Sequence, residues 1–340
     1  MKATPVAVNE SIATIPQGEL PVVTIAILSF NRCEALRKNL SKITTELDYP
    51  LEKREIIVVD NASTDGSAEM VRVEFPGARL IVNERNIGVS AWNLGFQHGR
   101  GAYILTLDDD CYVEGTSLAR AVSAAIRLRA DIVSFDILNP NQPGFSFNHL
   151  FNPGLVTFWG CAALFSRRAF DALGGFDPGI FVYIHELEFS IRAYSRGYSH
   201  LFYPDVKAYH MKPPGSHLAP NPSSRRLTVR NLAYISAKLF SRAACLQALA
   251  NIFLTVALAE RRNPKALLRY LAAAIQGTRE GFRARAPVSE ELSWFYVTNY
   301  IEFANPLQFR GMDSAGRLAS FYKKREDLYA LSGLRLMSFS

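Results

Sequence analysis

Between Val22 and Leu28 the chain is an unbroken β-branched and aliphatic run. Beyond Arg32 the apolar positions change period, with Leu36, Leu40, Ile43 and Leu47 on one helical face. This predicts a strand, a loop and an amphipathic helix. A second buried run, Ile56 to Val59, ends in Asp60-Asn61-Ala62-Ser63-Thr64-Asp65-Gly66, after which Ser67 is placed to cap a helix with Glu69 in its first turn. A third strand, Arg79 to Val82, leads through Asn86-Ile87-Gly88 into a helix near Ser90 to His98, and a fourth, Tyr103 to Leu107, runs directly into Asp108-Asp109-Asp110. A helix around Thr116 to Arg129 and a strand near Asp131 to Ile137 follow. Asn139 to Pro153, rich in Asn, Pro, Gly and Phe, reads as a long functional loop.

Leu155 to Phe165 is apolar, and a short helix opening at Arg167 ends at Gly174-Gly175. Beyond Phe176-Asp177-Pro178, a helix carries His185, Glu186, Glu188 and Arg192, and a strand lies near His200 to Tyr203. Pro213-Pro214-Gly215-Ser216, with Pro220 and Pro222, forms the expected boundary, and the chain then turns helical.

Strands alternating with helices indicate an α/β fold with a mostly parallel sheet covered on both faces. Ligands of such sheets bind at the carboxyl ends of the strands. Asn31, Asp60, Asn86 and Asp108 all follow predicted strand ends, so polar groups collect on the edge where a nucleotide would sit. The 340 residues, about half apolar, suit one or two domains. The division expected is a loose lead-in over 1–20, an α/β domain over 21–215 and a basic helical region over 216–340. The lead-in lacks the basic start and apolar stretch of a secretory signal, and the scattered cysteines 33, 111, 161 and 245 show no metal or disulfide spacing, so a reducing cytoplasm is expected.

A formal charge of +7 suits an anionic partner, and its distribution is uneven: twelve basic residues between Arg225 and Arg285 face only Glu260 and Glu280. Ala243 to Ala259 is free of charge but shorter than the roughly 20 residues of a membrane span. Gln247, Asn251 and Thr255 draw a polar stripe down it. It reads as an amphipathic helix, either resting on an anionic membrane surface or packed on the catalytic domain.

Three consecutive carboxylates after a buried strand repel one another and gain from a cation. Mg²⁺ or Mn²⁺ favours such oxygens and can bridge diphosphate oxygens, so a cation held by Asp110, helped by Asp108, would neutralise a departing diphosphate; the alternative is a solvated acidic turn. His185, Glu186 and Glu188 lie within one helical turn. Glu188 and Arg192 also suit a plain i, i+4 ion pair, Glu186 suits a catalytic role, and His210 beside Tyr209 is either a metal ligand or a packed side chain.

These residues carry a resemblance. The chain resembles family 2 glycosyltransferases of the GT-A fold, Rossmann-like in their sheet, and especially the bacterial rhamnosyltransferase-like and galactofuranosyltransferase-like members. The matching stretches are Thr24 to Arg32, Ile57 to Gly66, Asn86-Ile87-Gly88 with Asn93-Leu94-Gly95, Leu107 to Asp110, and Gly174 to Asp177, within residues 22 to 212. The resemblance implies a donor site made by Ser29, Asn31, Arg32, Asp60, Asn86, Asn93, Asp108 and Asp109, with Asp60 on the nucleobase and Asp108 on the ribose side. It implies metal ligation by Asp110 with Asp108 and His210, and an acceptor site at Trp159 and Gly160 with His185. Where the family shows Glu-Asp-X-Asp or Glu-Asp-X-Glu, this chain has His185-Glu186-Leu187-Glu188, so the base is expected to be Glu186, with Glu188 as the other candidate.

The activity so implied is an inverting, Mn²⁺- or Mg²⁺-dependent transfer from a UDP- or dTDP-sugar to a glycan or lipid-linked acceptor in cell-surface polysaccharide synthesis. It would take place at the inner face of the cell membrane and without nucleic acid. Two other readings share the architecture. A nucleotidyltransferase would carry an early Gly-rich triphosphate loop, which does not follow Leu28; a non-catalytic glycan-binding or scaffold derivative would release no nucleoside diphosphate.

Overall fold

The computed structural model describes residues 6–8, 13–144, 146, 157–213, 222–298 and 334–337. Most of the second half of the loop expected over Asn139 to Pro153 lies outside these residues, as does the boundary beyond Pro213. The described residues divide into two compact units, one holding 13–181 and 197–213 with the two terminal strands, the other holding 182–196 and 222–298.

In the first unit, strands and helices alternate much as the periodicity predicts. Strands β1 (Val6–Val8), β2 (Val23–Ser29), β3 (Arg54–Asp60), β4 (Arg79–Val82), β5 (Tyr103–Asp108), β6 (Cys111–Val113), β7 (Ile132–Leu138), β8 (Ala162–Ser166), β9 (His200–His210) and β10 (Leu334–Met337) form a ten-stranded sheet among the described residues. Its order is β1-β10-β9-β7-β8-β5-β2-β3-β4, with β6 attached to β9. Val6–Val8, inside the expected lead-in, is thus a strand and pairs with β10. Helices α1 (Cys33–Glu46), α2 (Ser67–Glu74), α3 (Trp92–His98), α4 (Ser117–Leu128) and α5 (Arg167–Leu173) connect the strands.

The sheet is mixed. β5, β2, β3 and β4 run parallel, and β8 enters antiparallel between β5 and β7. Side chains alternate across the parallel block. Ile25, Ile27, Val58, Leu105 and Leu107 join Leu36, Leu40 and Ile43 of α1 and Leu118 and Val122 of α4 in one core, while Ile57 and Val59 meet Ala91 and Leu94 on the opposite face. Both faces are therefore covered, as the apolar runs required. On the second face Trp92 donates its indole N–H to the Ala26 carbonyl at 3.2 Å. A Cβ on Gly95 would lie 3.1 Å from the Ala26 methyl, so the missing side chain lets α3 settle onto the strands. Phe96, Phe165, Phe170 and Phe176 pack edge to face beside it.

Two local expectations change. Ser67 is the first residue of α2 and not its cap. Gly66 takes that position with φ 87°, and the Asp65 carboxylate accepts the Ser67 N–H at 3.1 Å, doing the work a serine cap would have done. The strand expected near His200 to Tyr203 runs on to His210, because β9 follows β7 through an irregularity at Phe135/Asp136 and then receives β6, with Cys111 opposite His210.

The second unit holds α6 (His185–Ser195), α7 (Pro222–Leu239), α8 (Arg242–Ala259), α9 (Pro264–Arg283) and α10 (Glu290–Tyr296). Ser241, Asn263 and Ser289 cap α8, α9 and α10 with their side-chain oxygens, and Pro264 at the start of α9 has no N–H to leave unpaired. On α9, Gly277 and Gly281 face α7 so closely that a Cβ on either would collide with the carbonyls of Arg230 and Tyr234. α8 is long and apolar enough to cross a membrane by length and composition. The polar stripe is not on one exposed face: Gln247 is exposed and Thr255 half-buried, but Asn251 is buried, accepting from Gln247 Nε2 at 3.0 Å, while the apolar Leu246 is 71% exposed.

His200, at the start of β9, is buried with its ring 2.6 Å from the Ser134 hydroxyl, and burial lowers its pKa from 6.5 to about 3. The native state therefore disfavours a proton that the unfolded chain accepts, so its stabilising contribution is complete above about pH 6.5 and falls as pH drops toward 3. Urea unfolding of the native chain is expected to lose up to about 1.4 kcal/mol more per pH unit in that window than His200→Gln. Equal slopes would contradict a neutral buried ring.

Candidate active site

Parallel pairing brings the carboxyl ends of β2, β3, β4 and β5 to one edge. The register sets Ser29 opposite Asp60 and Leu28 opposite Asp108, so the three polar exits follow from strand pairing alone. The loops beyond are bonded to each other. Asn31, in the left-handed region at φ 52°, accepts the Thr64 N–H at 2.7 Å, and its own N–H reaches Ser63 Oγ at 2.9 Å. Asp60 accepts the Ser63 N–H on Oδ2 at 3.1 Å. Its buried Oδ1, and the buried Ser29 hydroxyl opposite, meet no hydrogen-bond partner among the described residues. Unsatisfied buried oxygens at a strand edge are costly and mark a place where a ligand donor is wanted.

The amides of Asn86 and Asn93 bond within the protein. Asn86 Oδ1 accepts from Asn61 Nδ2 at 2.8 Å and from the Gly88 N–H at 2.9 Å. Asn93 grips both backbone groups of Phe176, at 2.8 and 2.9 Å, and a Cβ on Gly175 would strike its side chain. These two sequence candidates shape the loops. Asn61, which the sequence reading passed over, is the hub: it also accepts from Asn83 Nδ2 and the Ile87 N–H. Its position directly after the Asp60 strand end was the available signal.

The three aspartates diverge in role. Asp109 is buried and accepts the Phe30 N–H at 3.3 Å and Arg32 Nη1 at 3.4 Å; burial pushes it up to about 6, against the pull of Arg32. Asp108 also rises to about 6, through desolvation first and then the adjacent Asp110 charge. Asp110 goes the other way. Burial works against its ionisation, but His210 Nε2 at 3.0 Å, Lys212 Nζ at 2.6 Å and Arg32 Nη1 at 2.5 Å hold it well below the ordinary carboxylate range. His210 is raised to about 10: burial opposes the charged ring, and Cys161 and Asp110 outweigh it. The predicted metal residues Asp108, Asp110 and His210 come together, with one ligand atom from each within 4.8 Å of the others. Two carboxylates and an imidazole make a donor set suited to Mn²⁺ or Mg²⁺, and an ion held there would take the place of the His210 proton and share Asp110 with Lys212 and Arg32. Lys212 was not anticipated; it reaches Asp110 because β9 continues to His210, where Met211 then bonds the Asp110 carbonyl at 2.9 Å.

Trp159 is half-buried against the core of the first unit, and its carbonyl accepts the Ala162 N–H at 3.2 Å; Gly160 is buried beside it.

In the second unit α6 begins after two consecutive left-handed residues, Tyr183 at φ 68° and Ile184 at φ 53°. Non-glycine residues rarely hold this conformation, and such strain persists only where its surroundings enforce it. Asn231 of α7 does so, donating to the carbonyls of Val182 and Tyr183 at 2.8 and 3.0 Å. His185 is buried, its pKa lowered by burial against the two glutamates, and its Nδ1 lies 3.3 Å from Glu186 Oε2. Glu188 is 1% exposed. Arg192 grips both its oxygens at 2.8 Å, and Lys238 adds a third contact at 2.7 Å. The anticipated i, i+4 pair is thus the core of a buried triad, whereas the Glu186 side chain keeps 18% exposure.

Comparison with known proteins agrees with this architecture. The sequence model of the family described as Glycosyl transferase family 2 matches residues 24–174, and the resemblance to family 2 glycosyltransferases of the GT-A fold is borne out over that stretch. Glycosyltransferase AglE of Haloferax volcanii is 34% identical over 123 residues, 35% of this chain and 40% of that one. An undecaprenyl-phosphate 4-deoxy-4-formamido-L-arabinose transferase of Aeromonas hydrophila is 30% identical over 114 residues, 32% of this chain and 35% of its own length. The chain thus spans well under half the length of either relative. Among solved structures, the mannosyltransferase PcManGT of Pyrobaculum calidifontis, in complex with GDP-Man and Mn²⁺, shares the fold with a TM-score of 0.54 and 22% identity. The alignment covers 94% of this chain and 90% of that one.

The two glutamates of α6 make a direct contrast. Glu188→Gln would strand two partly buried cations and is expected to destabilise the protein by roughly 3–5 kcal/mol, while Glu186→Gln should stay within about 0.5 kcal/mol of the native value. Urea unfolding followed by circular dichroism measures both. Equal losses would contradict the assignment of Glu188 to the structure.

Proposed function

We propose that the chain is an inverting, metal-dependent glycosyltransferase that moves a sugar from a UDP- or dTDP-sugar to a hydroxyl of a glycan or lipid-linked acceptor in cell-surface polysaccharide synthesis. The observation that carries this reading is the convergence of Asp108, Asp110 and His210 at the edge where Asp60 and Ser29 hold unsatisfied buried oxygens. The polysaccharide context is supported by the undecaprenyl-phosphate sugar transferase relative, and a nucleotide-sugar donor with a divalent cation by the GDP-Man and Mn²⁺ bound to the mannosyltransferase structure.

In this reading Asp60 Oδ1 accepts a base N–H, and Ser29 and Asn31 line the nucleoside pocket. Asp108 holds the ribose side, and Asp109 completes the donor site. Asp110, with Asp108 and His210, holds the cation, which when bound neutralises charge on a departing diphosphate. Arg32 and Lys212 bring two further positive groups to the same carboxylate and meet diphosphate oxygens. Trp159, Gly160 and His185 contribute to the acceptor site. Glu186 is the general base that takes the acceptor hydroxyl proton, with His185 Nδ1 3.3 Å from its carboxylate. Glu188, saturated by Arg192 and Lys238, positions the helix that carries Glu186. The protein works at the cytoplasmic face of the membrane.

Incubation with UDP- and dTDP-sugars is expected to give slow release of nucleoside diphosphate that requires Mn²⁺ or Mg²⁺ and is absent in Asp110→Ala and in the near-isosteric Asp110→Asn. Release independent of metal would overturn the cation assignment. Glu186→Gln should leave the donor-induced rise in Tm unchanged yet lower transfer about a hundredfold or more. Normal transfer by that variant would remove Glu186 from the chemistry.

A further inference from the structure

The twenty residues of α9 present two unlike faces. Tyr270, Ala273, Ala274, Gly277 and Gly281 are buried, and the small ones admit the close approach of α7. The opposite side exposes Leu268 (69%), Ala272, Ile275 (42%) and Phe282 (50%), spaced four, three and seven residues apart with Arg279 on the same row between the last two. Lys265, Arg269, Arg279 and Arg283 are exposed along the same side.

No acid interrupts this surface among the described residues. Glu260, just ahead of α9, is turned to Arg225 at 2.9 Å, and Glu280 is paired with Arg230, so both local carboxylates are consumed by α7. Arg261 and Arg262, exposed in the turn before α9, lengthen the basic row. The result is an apolar stripe about 20 Å long, bordered along one side by uncompensated positive charge and crossed by Arg279.

We propose that this outward face of α9 is a docking surface for an anionic phospholipid bilayer, lying in the headgroup layer with Leu268, Ile275 and Phe282 directed toward the acyl boundary. This rests on the membrane-face reading above and gives it a different helix from the one the sequence singled out. Charge complementarity selects the occupant. A second copy of the chain packed two-fold on this face would set bases against bases with no acid to offset them. An apolar stripe beside a basic row is what an interfacial helix requires, acyl contact and headgroup attraction acting together. α8 does not qualify, since its polar Asn251 points into the protein and its exposed residues Leu246 and Leu254 carry no basic row beside them.

The test is co-sedimentation of the full chain with vesicles of phosphatidylcholine alone or with 30 mol% phosphatidylglycerol, at about 50 mM and 500 mM salt. Binding is expected only with phosphatidylglycerol, weakening at high salt because screening reduces the headgroup attraction. Replacing Lys265, Arg269, Arg279 and Arg283 with Gln should lower partitioning at least tenfold, and Leu268→Ser/Ile275→Ser/Phe282→Ser should lower it comparably with the charges intact. All seven positions are exposed, so circular dichroism and the donor-induced rise in Tm should match the native chain. Failure of the native chain to sediment at low salt, equal binding to phosphatidylcholine alone, or native-like binding by both variants would overturn the proposal. So would a concentration-dependent dimer, seen by sedimentation velocity, that the serine variant abolishes. A donor response that persists while vesicle binding fails would sink only the docking surface; loss of the donor response in the native chain would sink the transferase reading instead.

Discussion

Everything at the strand edge depends on keeping Asp110 ionised inside the protein. A buried carboxylate beside two others would ordinarily take a proton, and Asp108 and Asp109 are indeed pushed up toward 6. Asp110 is held down by three partners from separate parts of the chain, Arg32 after β2 and His210 and Lys212 at the end of β9. The same contacts tie the first strand of the parallel block to the last long strand of the sheet. Charge balance and topology are therefore one constraint: moving β9 by a residue would turn His210 to the other face of the sheet.

The helical unit solves a different problem, which is to present one carboxylate while burying its neighbour. Glu186 and Glu188 sit two positions apart at the start of α6, where the positive end of the helix favours both. Lys238 and Arg192 take Glu188 out of play, and Asn231 enforces the left-handed turn from which the helix starts. Two of these three partners, Lys238 and Asn231, come from α7, and Arg192 lies on α6 itself. The function of that helix is thus written partly into residues some fifty positions further along, as the separation of Lys238 from Glu188 illustrates.

What the sequence made legible follows from the range of each interaction. β2, β3, β4 and β5 were readable because burial on two faces demands unbroken apolar runs, and their polar terminators stood out against them. Asp108, Asp110 and His210 were nameable as a metal set, yet the reason His210 arrives there, seven residues of β9 beyond Tyr203, rests on pairing with β6 and on an irregularity against β7 that no local pattern announces. Lys212 and Asn61 were missed for the same reason: their roles depend on partners across the sheet edge and not on their neighbours in sequence. On the helical side, the polar residues of α8 suggested one amphipathic stripe, but an amide can be buried when another side chain meets it, and Gln247 does so for Asn251. The amphipathic face belongs to α9, whose small residues looked unremarkable until their contact with α7 gave the helix an inside and an outside.

The central claim is that Asp110 and His210 bind one divalent cation as a pair. Pulsed electron paramagnetic resonance of the protein with one equivalent of Mn²⁺ tests it directly, because a coordinated imidazole nitrogen modulates the manganese echo. The account predicts a single bound ion with directly coordinated ¹⁴N, the nitrogen signal vanishing in His210→Gln. A bound ion with no nitrogen coupling, or one whose coupling survives that substitution, would contradict it.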